Sequence, residues 1–213
     1  IGKEFMPKLN EGSFLLMPTS TAHTGISENK KILQQLDMAV ASLPEVETVV
    51  GKAGRVNSAL DPAPLSMFEN VIIYKPEYIL GKNGKPLLFK TSDNGLFYTK
   101  NGELVSSGSR VAQDNLIPDS DGEYFRNWRP HVKSVDDIWQ EIVAVTKLPG
   151  VTSAPKLQPI ETRLIMLQTG MRSPMGIKVF GPDLSSIEKF GYELENELKK
   201  IEAVENASVF SDR

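Results

Sequence analysis

A junction between helix and strand that occurs three times is the feature of this sequence that most constrains its fold. The three copies are LPEVETV at 43–49, LPGVTSA at 148–154 and IEAVENA at 201–207. In each, a helical segment with an apolar stripe ends, a short turn follows, and a valine opens an extended run. The predicted order of elements is therefore β-α-β twice, then a linker and a third β-α-β unit.

The first two units predict a ferredoxin-like lobe of the α+β class. Two split β-α-β units place their helices on one face of an antiparallel sheet. The third unit predicts half of a second lobe. We therefore expect a first subdomain at 1–170 and the first half of a second subdomain at 171–213. A doubly wound parallel sheet is the alternative that the same order of elements allows.

Local patterns give the individual elements. Helices are predicted to begin after the N-cap residues Ser27, Ser134 and Asp183, and Ser134 forms a capping signature with Asp137. The first helix is expected to bury Ile32, Leu36, Ala39 and Leu43. Residues 155–175, with three prolines, predict an extended arm or a hairpin. Apolar runs predict strands at 13–18, 46–50, 68–74, 151–154, 176–180 and 207–210.

Residues 79–127 interrupt this rhythm. They contain three Asn-Gly pairs, at 83–84, 94–95 and 101–102, separated by short apolar runs. Asn-Gly supplies the two positive φ angles that a tight hairpin turn requires. The segment therefore predicts an inserted β-meander.

Composition and motifs exclude several classes of protein. The chain has no cysteine and a net charge of −3, which excludes disulfide and thiolate sites and argues against nucleic-acid binding. No phosphate-binding glycine loop or G-x-S-x-G motif is present, so we expect no enzyme. His23 and His131 are interpreted as surface or structural residues. No apolar run exceeds four residues, and residue 1 is not methionine, so we expect a piece of a larger protein without a membrane span.

The seven methionines are the remaining candidates for chemistry. Met17 and Met67 stand at predicted strand ends, and Met166 lies in the predicted arm. Thioether sulfur is a soft, neutral donor that suits Cu(I) and Ag(I) better than Zn(II). Methionine is also a common filler of apolar cores. From the residues alone, core packing ranks above metal binding.

Four segments resemble the heavy-metal efflux branch of the resistance-nodulation-division transporters, and within it the copper/silver pumps of the Cus type. They are GKEFMPKLNEGSFLLMP, LPEVETVVGKAGR, DPAPLSMFE and ETRLIMLQTGMRSPMGIKVFG. The resemblance implies the second large periplasmic loop of a proton-driven pump in a Gram-negative inner membrane. It also implies a homotrimer, a periplasmic adaptor, an outer-membrane channel and no permanently bound cofactor.

The same resemblance implies the site. Three methionines would hold Cu(I) or Ag(I) as the transported ion, and here they fall on Met17, Met67 and Met166. Ile165 and Arg172 depart from the family pattern, and residues 79–127 have no counterpart in it. Two alternatives stay open: a divalent-cation pump that uses Glu11, Asp61 and Glu69, and an interaction module whose insertion contacts an adaptor. The resemblance also implies five charged residues near the cleft: Glu11, Asp61, Glu69, Arg163 and Arg172. Of these, Glu69 and Arg172 are expected to form an ion pair.

Overall fold

The computed structural model describes residues 10–21, 23–56, 63–152, 154–169 and 177–201. The fold is a mixed α/β arrangement with small sheets. The chain divides into two compact units, Ile1–Pro159 and Ile160–Arg213. The predicted subdomain boundary at 170/171 lies further along the chain, and the assignment of the two units to two porter subdomains stays a prediction.

The first unit contains a three-stranded antiparallel sheet. Its strands are β1 (Ser13–Leu16), β2 (Val46–Ala53) and β3 (Phe68–Tyr74), in the order β1-β3-β2. All three were expected from their apolar and β-branched runs. Because both pairings are antiparallel, the doubly wound parallel alternative is wrong for this unit.

The strand predicted at 151–154 is present only as isolated bridges. Val151 bridges Ser20, and Leu157 bridges Leu15 on the free edge of β1. The main-chain N–H of Leu15 donates to the carbonyl of Leu157 at 2.9 Å. The extended segment after the second helix thus lies beside β1, and the ferredoxin-like detail of the lobe stays a prediction.

Helix α1 (Ile26–Ala41) begins earlier than expected. Its N-cap is Gly25, which offers no side-chain cap, so the predicted N-cap at Ser27 is wrong. Leu36 and Leu43 are buried as predicted. The rest of the buried face is turned by one residue, because Asn29 and Val40 occupy the interior while Ile32 and Ala39 are only partly buried.

Helix α2 (Val135–Val145) begins as predicted. Ser134 Oγ accepts a hydrogen bond from the N–H of Asp137, and the carboxylate of Asp137 accepts one from the N–H of Ser134, which completes a capping box. The helix buries Ile138, Trp139 and Ile142. Trp139 packs against Phe14 of β1, with ring centroids 5.3 Å apart, so α2 covers the same face of the sheet as α1.

The inserted β-structure is confirmed. Its strands are β4 (Leu88–Phe89), β5 (Phe97–Tyr98), β6 (Leu104–Val105) and β7 (Glu123–Tyr124), paired β4-β7 and β5-β6. It is not a simple meander, because β4 pairs with β7 and not with β5. The glycines of the three Asn-Gly pairs have φ angles of 73°, 72° and 82°, but none of the three asparagines has a positive φ, so the predicted pair of positive φ angles is wrong. Each glycine instead closes a turn, with its N–H donating to the carbonyl three residues earlier at 2.9–3.0 Å. The insertion has a core of its own, formed by Ile79, Phe89, Phe97, Leu116 and Phe125.

Charged and polar contacts fasten the base of the insertion to the sheet. Arg126 forms an ion pair with Glu77 at 2.8 Å and also donates to three main-chain carbonyls. The indole N–H of Trp128 donates to the carbonyl of Lys75 at 2.8 Å. The segments of the chain that enter and leave the insertion are therefore held together just after the end of β3.

Next to this base lies a buried carboxylate, Glu45. Its oxygens accept hydrogen bonds from the guanidinium of Arg129 at 2.9 Å, and Arg129 also pairs with Glu141 at 2.9 Å. Burial by itself raises the pKa of Glu45, but the hydrogen bonds from Arg129 outweigh it and hold that pKa below its ordinary value. The carboxylate is therefore ionised and paired in the folded chain at neutral pH.

The second unit contains helix α4 (Leu184–Leu198) and most of helix α3 (Pro159–Thr169). The extended arm predicted at 155–175 is wrong over 159–169, because proline is tolerated in the first helical turn and good helix formers follow it. Residues 177–180 form no strand, contrary to prediction, and the strand predicted at 207–210 lies outside the described residues. Asp183 caps α4 as predicted, accepting from the N–H of Ser186 at 2.9 Å.

Candidate functional site

Two of the three candidate methionines lie on one face of the sheet. The β1–β3 register pairs Leu16 with Asn70 and continues past the end of β1 to a bridge between Thr19 and Met67. Counting along it places Met17 opposite Glu69, two residues from Met67. Diagonal neighbours of this kind in an antiparallel pair are about 7–8 Å apart at the backbone, within reach of long side chains.

Both side chains are withdrawn from solvent. Met17 is 2% exposed and Met67 is 6% exposed. Pro18 ends the regular part of β1, but its carbonyl still accepts a hydrogen bond from the N–H of Phe68 at 3.0 Å. The two methionines are thus held by paired backbone, and their thioethers form a soft, uncharged pair of donors at the end of the sheet.

The third candidate, Met166, lies on α3 in the second unit and is partly buried. Arg163 lies on the same helix and is exposed. The role of Met166 as the third ligand stays a prediction, as does the place of Arg163 near the cleft. Asp61 and Arg172 lie outside the described residues.

Glu69 is the charged group next to the two methionines. Glu69 is 7% exposed, and its carboxylate forms an ion pair with Lys52 Nζ at 3.1 Å. Lys52 is the direct neighbour of Glu69 in the β2–β3 register. The sequence did not point to Lys52, because the strand was predicted at 46–50 whereas β2 extends to Ala53; its place in the GKAGR segment just after the predicted strand is the signal that could have identified it. The pair expected between Glu69 and Arg172 stays a prediction.

Glu11, the remaining predicted charged residue, lies just before β1. Its main-chain N–H donates to the side-chain oxygen of Gln158 at 2.9 Å, and its residue is partly buried. The contact ties the start of β1 to the extended segment that bridges Leu15.

A buried asparagine supports the segments that carry both methionines. Asn29 Oδ1 accepts a hydrogen bond from Ser20 Oγ at 2.6 Å, and its Nδ2 donates to the carbonyls of Thr24 and Leu65 at 3.2 Å each. Ser20 follows Met17 by three residues and Leu65 precedes Met67 by two. Asn29, fully buried in α1, therefore links the two chain segments through one side chain, a role that no sequence motif indicates.

Hard-ligand chemistry has less support in the described part of the chain. It contains no group of three or more His, Asp or Glu side chains placed to hold a metal ion. His131 Nε2 lies 3.2 Å from Glu141, and His23 is exposed. Among these same residues, no helix has both the length and the apolar character that a membrane span needs.

The fold is that of a fragment of heavy-metal efflux pumps. A crystal structure of a heavy metal efflux pump (crystal form I) matches with a TM-score of 0.61 at 20% identity, covering 95% of this chain and 16% of the pump chain. No protein-family model matches the sequence.

The homologues of this chain are cation efflux proteins of the resistance-nodulation-division family. It is 31% identical to the putative cation efflux system protein SilA of Salmonella typhimurium over all 213 residues. It is 29% identical to the cation efflux system protein CusA of Escherichia coli K12 over 97% of the present chain. The nickel and cobalt resistance protein CnrA of Cupriavidus metallidurans is 26% identical over 94% of the present chain. The chain spans 15% of SilA and of CusA.

Proposed function

We propose that this chain is a periplasmic porter segment of a proton-driven efflux pump for Cu(I) or Ag(I). The transported ion is held by the thioethers of Met17, Met67 and Met166. The observation that carries the proposal is the register of β1 and β3, which brings Met17 and Met67 from distant parts of the sequence to one buried sheet end. Core filling alone explains the burial, but it does not explain why both methionines fall in segments that resemble heavy-metal efflux transporters.

The donor set determines the class of ion. Thioethers are soft and carry no charge, so they stabilise soft monovalent ions and give little compensation for dehydrating Zn(II) or Ni(II). They bind without losing a proton, so neutral pH does not weaken them, and they do not oxidise to disulfides. A site built this way needs none of the cysteine that the chain lacks.

In the whole protein, this segment would belong to an inner-membrane homotrimer that works with a periplasmic adaptor and an outer-membrane channel. Hinge motion between porter lobes would open and close the ion path. The insertion is a candidate contact for the adaptor, because it has its own core and is firmly fastened at its base. Replacing residues 80–124 by an Asn-Gly turn would leave pump assembly intact if the insertion has no partner.

The rival proposal is a divalent-cation pump that uses Glu11, Asp61 and Glu69, and the similarity to CnrA favours it. Two observations weigh against it. The first is that Glu69 is already in an ion pair with Lys52. The second is that Glu11 and Glu69 lie at opposite ends of β1: Glu11 precedes the strand, whereas Glu69 is opposite the residue just after it.

The test is a calorimetric titration of the 213-residue chain with silver nitrate and with zinc sulfate in chloride-free buffer at neutral pH. We expect Ag(I) to bind more tightly than Zn(II). Met67→Ile removes a donor sulfur while keeping the site apolar, and it should weaken Ag(I) binding at least about tenfold. Met38→Ile is the matched control, because Met38 is 65% exposed on α1.

Two results would refute the copper/silver proposal. One is a wild-type chain that prefers Zn(II). The other is Ag(I) binding that Met67→Ile and Met38→Ile weaken equally. Zn(II) binding that is lost in Asp61→Ala would instead support the rival.

A further inference from the structure

A row of three side chains crosses the sheet beside Met67. Lys52 of β2 is paired with Glu69 of β3 in the register, and Glu69 is followed across the sheet by Met17. Met67 lies on the same face, two residues before Glu69. An ammonium, a carboxylate and a thioether therefore stand side by side, with a second thioether next to the carboxylate.

The two charged groups in this row have opposite signs and are paired. Glu69 is 7% exposed and Lys52 is largely covered, with 3.1 Å between Lys52 Nζ and Glu69 Oε2. Charges with so little access to water are weakly screened, so they interact more strongly with each other and with a nearby ion than exposed charges do. The carboxylate oxygen, which is the kind of hard ligand that divalent ions prefer, is already bound to an ammonium.

We infer that Lys52 is a specificity-determining residue that offsets the charge of the Glu69 carboxylate beside the two thioethers and so disfavours divalent cations. The inference rests on the function proposed above. A carboxylate attracts an ion of charge +2 twice as strongly as an ion of charge +1 at the same distance, and the ammonium beside it offsets this attraction. The thioethers supply no negative charge in its place, whereas their softness still stabilises a monovalent ion.

The test compares Lys52→Gln with wild type in titrations of the 213-residue chain with silver nitrate and zinc sulfate. Removing the ammonium takes away one positive charge that faces the Glu69 carboxylate beside the sulfurs. We expect Zn(II) to bind at least about tenfold more tightly, with a smaller change for Ag(I), so that the preference for Ag(I) over Zn(II) falls at least about tenfold. Lys52→Arg should keep the wild-type preference.

Lys31→Gln is the matched control, because Lys31 pairs with Glu28 on the exposed side of α1 at 3.2 Å. It changes the net charge by the same amount and should leave both affinities unchanged. Glu69→Gln is the second variant, and it remains informative if Lys52→Gln fails to fold as judged by circular dichroism. It removes the carboxylate that faces the ammonium, so we expect weaker Ag(I) binding.

An unchanged preference in Lys52→Gln overturns the inference, as does a parallel loss of both ions, which would make Lys52 only a support for the sheet. Unaltered Ag(I) binding in Glu69→Gln would also overturn it. In each of these cases Ag(I) still binds wild type and responds to Met67→Ile. A wild-type chain that does not bind Ag(I) refutes the proposed function itself, and the inference with it.

Discussion

Removing the side chain of Asn29 tests whether one buried residue holds together the segments that carry Met17 and Met67. Asn29→Ala deletes three hydrogen bonds, to Ser20, Thr24 and Leu65. Each is worth about 1 kcal/mol net. Alanine recovers about 0.5 kcal/mol, because it is the better helix former. Ser20 can turn its hydroxyl toward the carbonyl of Ser66, 3.4 Å away, so we expect a net loss of about 2 kcal/mol in the free energy of unfolding.

The assay is urea unfolding followed by tryptophan fluorescence. The chain has two tryptophans, and both Trp128 and Trp139 are buried in the core of the first unit, so the signal reports on the unit that contains Asn29. Gln34→Ala is the matched control, because Gln34 is exposed on the same helix. Ag(I) binding should weaken in Asn29→Ala and not in the control. A loss below about 0.5 kcal/mol, with unchanged Ag(I) binding, would refute the linking role of Asn29.

Two further predictions concern the stability of the first unit. Gly51→Ala should destabilise it by about 1–3 kcal/mol, since an added Cβ would lie 2.5 Å from Asn70 Nδ2 and from Leu33 Cδ1; Gln34→Ala, on the exposed side of α1, is its control in urea unfolding. Glu45 should make the chain sensitive to acid. Because its pKa is lowered on folding, its contribution is present above the unfolded value of about 4.3 and is lost as pH falls through the folded value. The urea midpoint of wild type should therefore drop below about pH 4, and Glu45→Gln, less stable at neutral pH, should show a flatter pH profile. Equal pH profiles for wild type and Glu45→Gln would contradict this account.

The parts of the fold that the sequence predicts correctly are those determined by local chemistry. Ser134 and Asp137 satisfy each other's main-chain groups within a single turn, so no distant contact is needed to establish the capping box. The glycines of the three Asn-Gly pairs mark their turns in the same way, through positive φ angles that few other residues adopt. Strands β1 and β3 are also predicted from local sequence, because their apolar runs lack the spacing of a helix.

The errors arise where local signals are ambiguous. Pro159 was interpreted as part of an extended arm, although proline is also favoured in the first turn of a helix, and α3 begins there. Ser27 is a good N-cap residue, but α1 begins at Ile26 with Gly25 as its N-cap, and the buried polar residue near this end is Asn29.

The site itself could be predicted only in part. The motifs pointed to Met17 and Met67, but their position on one sheet face depends on the pairing of β1 with β3, which connects residues far apart in the sequence. Lys52 acquires its meaning from the same source. As a lysine in a strand it suggests a solvated edge, and only the β2–β3 register shows that it faces Glu69.

The insertion and the lobe that carries it have separate cores with no residue in common. Substitutions in the two cores should therefore contribute additively to stability, since coupling between mutations requires contact or shared partners. An apolar change at Phe97 would need no compensation at Phe14. The inserted segment is thus free to diverge, lengthen or be exchanged without altering the packing that positions Met17 and Met67, provided that the contacts of Arg126 and Trp128 at its base are kept.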